Sequence, residues 1–147
     1  MKKNFLALIT SLACLSAHAA DMNKEQQTNF NVLKKELLAS QCVIQKDVKA
    51  YSAKSTEYGI VTVITVSAEG CGGGNNWATY YQVFYNDGKS HFPSAALPVI
   101  DNVIVRENVI HFESTEYADS DPRCCPSLKK QTTFKIDNNK LVPIKIR

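Results

Sequence analysis

The hydrophobic positions of this chain follow the helical period of about 3.6 up to Cys42 and a period of two beyond it. In "NKEQQTNFNVLKKELLASQ", Phe30, Leu33 and Leu37 recur at helical spacing and Leu38 widens the stripe. Asn23 followed by Gln26 has the form of a capping pair, so the pattern predicts a helix from about Lys24 to Ser40. Lys34 and Lys35 fall beside the stripe, on a solvated face.

The strand pattern is clearest in "YGIVTVITVSAE", residues 58–69. Ile60, Thr62, Ile64 and Val66 share one face there, and Val61 and Val63 share the other. Apolar residues on both faces predict a strand in the middle of a sheet. "ATYYQVFYNDGKSHF" reads as a strand, an Asp-Gly turn and a return strand. "DNVIVRENVIHFESTEY" turns near Glu107-Asn108, and "QTTFKIDNNKLVPIKI" turns at Asn138-Asn139. Three hairpins require antiparallel pairing. Pro143 has no N–H to give a ladder, which puts the last strand at an edge. The fold class is α+β: an N-terminal helix packed on a twisted antiparallel sheet of hairpins, with two disulfides.

The first residues change the setting. "MKKNFLALITSLACLSAHAAD" carries Lys2 and Lys3, an apolar run from Phe5 to Leu15, and the Ala17-His18-Ala19 cleavage pattern. This predicts a signal peptide over 1–19 and a mature α+β domain over 20–147, periplasmic or secreted. The apolar run falls short of the ~20 residues a membrane span needs, and no later stretch reaches it. A lipid anchor on Cys14 is not predicted, because Ser11 stands where a lipobox has a branched aliphatic.

Charge adds one exclusion. Of 17 basic and 14 acidic residues, the signal removes two lysines, so the net +3 falls to about +1 in the mature chain. Nothing that weak points to nucleic acid or an anionic membrane as partner.

Export decides how the cysteines are read. Of five, Cys42, Cys71, Cys124 and Cys125 survive cleavage, and an even number in an exported chain predicts two disulfides. A redox centre would show C-x-x-C, and zinc would want spaced Cys and His ligands; neither is present, so no metal and no cofactor is expected. Pairing Cys124 with Cys125 would close a ring across their shared peptide, with Cα atoms ~3.8 Å apart where a disulfide prefers about 5.5–6 Å. The expectation is therefore that the doublet staples two distant places, one cysteine bonding Cys42 and the other Cys71. Strand parity favours Cys42–Cys124 and Cys71–Cys125. A Cys42–Cys71 bond would instead restore the vicinal or redox reading.

The C-terminal part carries a resemblance. The Tyr117 region, Asp121-Pro122, the Cys124-Cys125-Pro126-Ser127 run and a following strand with a polar turn resemble the LppP/LprE lipoprotein family. The hydrophobic strand at 60–66 and the "FYNDGK" hairpin at 84–89 extend the likeness over the last 90 or so residues. It implies an envelope setting and a small sheet domain. That family brings no established catalytic residues to transfer, and this chain departs from it at the lipobox.

The remaining chemistry is sparse. "EGCGGGNNW", 69–77, is glycine-rich but lacks the Gly-Lys-Ser/Thr ending of a phosphate loop, and reads as a connection between strands. Asn75, Asn76, Trp77, Tyr80 and Tyr81 form a candidate recognition surface, since Trp and Tyr are enriched at binding hot spots. His91 or His111 with Ser90, Ser94 and Glu113 make a hydrolytic trio on paper, without a nucleophile elbow or metal-binding helix. No catalytic residue is assigned. The expected function is a non-catalytic module that binds a protein or envelope component, with a small envelope hydrolase or thiol-redox protein as the alternative.

Overall fold

The computed structural model describes residues 16–18 and 21–145. Most of the expected signal segment lies outside them. Ser16–His18 form β1, which pairs with β2; cleavage after Ala19 would remove it. Then follow α1 (Lys24–Ala39), β2 (Val43–Ser55), β3 (Gly59–Glu69), β4 (Trp77–Tyr85), β5 (Ser90–His91), β6 (Ala95–Leu97), β7 (Val99–Arg106), β8 (Val109–Glu116), β9 (Leu128–Asp137) and β10 (Lys140–Ile144).

Local chemistry sets both ends of α1. The Asn23 side chain accepts from the Gln26 N–H and the Gln26 side chain accepts from the Asn23 N–H, a complete capping box. At the far end Gln41 takes a left-handed φ of 61°. The Cys42 N–H then reaches Leu37 O and the Gln41 N–H reaches Leu38 O, both at 3.0 Å, which is the Schellman pattern. Leu33 and Leu37 are buried and Phe30 partly so, but Leu38 is 54% exposed and does not belong to the packing face. Gln26 and Asn29 fill the N-terminal half of that face instead.

The strands form two antiparallel sheets where the sequence predicts one. The first is six-stranded, in the order β1-β2-β3-β4-β5 with β6 also on β4; the second is four-stranded, β10-β9-β8-β7. The two-sided apolar pattern of β3 and β4 explains the difference. Val61, Val63, Tyr81, Val83 and Tyr85 share a core with Val103, Val105, Ile110, Phe112 and Ile136 of the second sheet. Ile64, Val66 and Phe84 share another with Leu33 and Leu37 of α1. One helix covers only one face of a sheet, so the other face takes the second sheet as its cover. Pro93 and Pro98 flank β6, where the chain leaves the first sheet for the second.

β3 lies between β2 and β4, as its pattern requires, and β10 with Pro143 is an edge strand. The three expected hairpins are present at β4–β5, β7–β8 and β9–β10. Positive φ occurs at Asn86, Asp87 and Gly88, at Glu107, and at Asn138 and Asn139. The Asn138-Asn139 pair is the signature of a type I′ hairpin turn.

The disulfides depart from the expected pairing. Cys42 bonds Cys71, and Cys124 bonds its neighbour Cys125. Parity arguments assume an extended chain from Phe112 to Phe134, but β8 ends at Glu116 and β9 begins only at Leu128. The intervening turn breaks that geometry. Meanwhile the Schellman turn carries Cys42 beside Cys71 at the start of the glycine-rich loop, with Cα atoms 4.2 Å apart.

Candidate functional site

Two loops, one from each sheet, meet at the end of the molecule that holds both disulfides. The first is the glycine-rich 70–76 segment between β3 and β4. Gly70, Gly72 and Gly73 have φ of 73°, 71° and 85°, where a side chain would be strained. That freedom lets the loop fold back on itself, with Gly70 N–H on Asn76 O at 2.9 Å and Gly73 N–H on Gly70 O at 3.0 Å. Gly72 N–H reaches Ser40 O at the end of α1 at 2.9 Å, and the Cys71–Cys42 bond fixes the same junction. The segment is thus tied to the helix, and it presents Asn75, Asn76 and Trp77 outward.

The second loop joins β8 to β9 and contains "DPRCCPS". Asp121 organises it. Its Oδ2 accepts from the Ala118 N–H at 2.8 Å and the Ser127 N–H at 2.7 Å, and its Oδ1 accepts from the Ser127 hydroxyl at 2.7 Å. The amide of Ala118 and the hydroxyl of Ser127 hold the Asp121 carboxyl below its ordinary pKa, because both stabilise the ionised form. Tyr117 donates its hydroxyl to Arg123 O at 2.6 Å, and Cys125 N–H meets Pro122 O at 3.0 Å. Cys124 and Cys125 are exposed at the tip of this turn.

Between the loops lies a cleft of about 490 Å³ lined by Asn75, Asn76, Trp77, Tyr117, Asp121 and Arg123. Trp77 is 44% exposed and Tyr117 is 43% exposed, whereas every other described Phe and Tyr is buried or partly buried. Val43 (56% exposed) and Leu128 (49%) stand on the strand ends around it: Val43 and Trp77 both pair with Glu69, and Leu128 pairs with Glu116. The wall chemistry is two aromatic rings, two side-chain amides and one guanidinium. With Asp121 committed to its own loop, Asn75, Asn76 and Arg123 remain to bond a ligand.

The five residues expected to form a recognition surface therefore separate. Asn75, Asn76 and Trp77 come together in the cleft. Tyr81 does not: it is 8% exposed and its ring lies 4.6 Å from that of Phe112 in the inter-sheet core. Burial pushes its phenol pKa up. Tyr80 points to the opposite face and packs against the helix-side core. Alternation along β4 sends neighbouring rings to opposite faces, so they cannot make one platform. Tyr117 and Arg123 are the members that sequence reasoning missed as binding groups; their only signal was their place flanking the cysteine doublet.

The paper trio is also dispersed. His111 Nδ1 pairs with the Thr133 hydroxyl at 2.8 Å across the β8–β9 ladder, and Glu113 accepts from Asn102 at 3.3 Å. His91 lies 3.8 Å from Glu36, whose carboxylate also accepts from Gln82 at 2.9 Å. Among the described residues no group of three or more metal-ligating side chains occurs, and no helix is long and apolar enough to cross a membrane.

A slightly larger groove of about 550 Å³ crosses the outer face of the second sheet, lined by Asp101, Glu113, Ser114, Lys129, Lys130 and Gln131. Its charged groups are already engaged: Lys129 is 3.1 Å from Asp101, Lys130 is 2.9 Å from Glu116 on the adjoining strand, and Glu113 accepts from Asn102. Self-paired charges leave little for a ligand, so size does not make it the better site. Comparison with protein families, curated proteins and solved structures finds no match for this chain.

Proposed function

We propose that this protein is an exported, disulfide-stabilised, non-catalytic module that holds a protein or envelope component in the Trp77–Tyr117 cleft. One observation carries the reading. Two large aromatics from loops of different sheets stay exposed around a single cleft, together with Arg123 and the Asn75-Asn76 amides. Trp, Tyr and Arg are the residues that dominate binding hot spots: the two rings bury much area with few torsions to freeze, and the guanidinium offers a planar fork of donors. The exported setting rests on the residues of the first nineteen positions and on the resemblance to envelope lipoproteins.

The test is capture of partners from envelope extract with the mature protein, compared with Trp77→Ala and with Lys129→Ala as a surface control. The reading expects a partner retained by wild type and by Lys129→Ala but lost with Trp77→Ala. Equal capture by all three, or none, overturns it. A thiol-redox role has one observation in its favour, the exposed Cys124–Cys125 pair.

A further inference from the structure

We infer that Cys124–Cys125 is a reversible thiol–disulfide exchange site, taking a dithiol as its reductant, whose state sets the shape of the Trp77–Tyr117 cleft. The two disulfides differ in their access to an attacking thiolate and in the length of chain they close. Cys42 is 4% exposed and Cys71 is partly buried against the helix-side core, whereas Cys124 and Cys125 are both exposed. An attacking thiolate must reach a sulfur atom in line, so access alone separates the pairs. The Cys42–Cys71 bond closes a separation of 29 residues and ties helix to sheet; the Cys124–Cys125 bond spans a separation of 1 and ties no distant elements. Opening the second pair therefore leaves the fold intact.

The exchange balances as follows. A thiolate of the dithiol attacks one sulfur of the pair, forming a mixed disulfide and releasing the other cysteine as thiolate. The second thiol of the reductant then displaces the first cysteine. The reductant leaves as a disulfide, and two electrons and two protons end on Cys124 and Cys125. Arg123, next in sequence, supplies a positive charge that favours the released thiolate.

The loop is built so that this change is felt in the cleft. Asp121 brackets the loop by binding Ala118 and Ser127, which confines any movement to the residues between. Within that bracket Arg123 both lines the cleft and receives the Tyr117 hydroxyl bond. With the ring closed, Cys124 and Cys125 are locked together with their shared peptide, and Arg123 is fixed against them. With the ring open, torsions beside Arg123 become free, and the Tyr117 and Arg123 walls of the cleft shift relative to Trp77. The regulatory half of this inference deepens the binding reading; the exchange chemistry does not depend on it.

Trp77 is the sole tryptophan and lines the cleft, so its fluorescence reports the change directly. The mature protein is titrated with dithiothreitol under native conditions, alkylated and mapped, with Trp77 emission followed in parallel. The expected result is labelling of Cys124 and Cys125 at a reductant concentration about tenfold below that opening Cys42–Cys71. It comes with an emission change that reverses on reoxidation and is absent in a Cys124→Ser, Cys125→Ser double variant. Simultaneous opening of both bonds, a map linking Cys124 or Cys125 to Cys42 or Cys71, or emission unchanged after selective opening would each overturn the inference. Partner capture by the oxidised protein reads the binding function separately. A responsive Trp77 without capture sinks only that reading, and capture with a silent Trp77 sinks only this one.

Discussion

Asp121 grips Ser127 with both carboxylate oxygens, one taking the backbone N–H and the other the side-chain hydroxyl, each at 2.7 Å. The same carboxylate takes the Ala118 N–H, so one ionised group fixes the two ends of the cysteine loop. Because these bonds depress its pKa, the stabilisation is fully present above the unfolded aspartate value of about 3.9. It is lost as pH falls through the lower folded value. Amide exchange at Ala118 and Ser127, corrected for the intrinsic pH dependence, is expected to stay slow from neutral pH down past that unfolded value and then to accelerate. Asp121→Asn should show fast exchange at both amides already at neutral pH, with the global unfolding midpoint little changed. A pH-independent exchange pattern would remove Asp121 from this role.

The stability contribution of the cysteines is expected to come almost wholly from one bond. Closing the 29-residue separation between Cys42 and Cys71 is worth about 3.5 kcal/mol by chain entropy, less any native strain. Urea unfolding of a Cys42→Ser, Cys71→Ser variant should lose roughly that much. The Cys124→Ser, Cys125→Ser variant should unfold close to wild type, because its bond restrains no long loop of the unfolded chain. Equal losses in the two variants would contradict this assignment.

The capping box supplies a third measurement. Asn23→Ala removes the acceptor for the Gln26 N–H and should cost about 1 kcal/mol in urea unfolding. Gln26→Ala should cost more, since that side chain is 8% exposed and also donates to the Ser52 hydroxyl at 3.0 Å. The reverse order would mean that the tie between helix and sheet through Ser52 contributes little.

What the sequence displayed was chiefly local. The Asn23–Gln26 cap, the turns at Asp87-Gly88 and Asn138-Asn139, and the two-sided burial of β3 each follow from residues close in the chain. β2 was hidden because Gln45, Lys46 and Asp47 are exposed in succession where a register shift between Ile44 and Val48 interrupts the alternation. The second sheet was hidden because hairpin signals say which strands pair but not which pairs share a ladder. The cysteine partners were hidden for a related reason. Parity along an extended chain is a sound guide inside a strand and carries nothing through a turn held by Asp121. The cleft fell between these levels: the 70–76 loop and the 117–127 loop are remote in sequence, and only packing of the two sheets brings Trp77 and Tyr117 to one cleft.

Neighbouring aromatics on β4 and at its start should accordingly divide between two jobs. Tyr81 sits in the inter-sheet core at 8% exposure, with its ring 4.6 Å from Phe112, so Tyr81→Ala opens a cavity between the sheets. A loss of about 3–5 kcal/mol in urea unfolding is expected, by analogy with truncation of other large buried aromatics. Tyr81→Phe keeps the ring and should recover most of that loss, since the phenol makes no hydrogen bond among the described residues. Trp77 is 44% exposed at the cleft and belongs to neither core, so Trp77→Ala should cost clearly less stability than Tyr81→Ala while abolishing partner capture. The two variants thus separate stability from binding at positions four residues apart. A large stability loss in Trp77→Ala would show the ring to be a structural cover for the glycine loop, and the cleft would lose its main claim to a ligand.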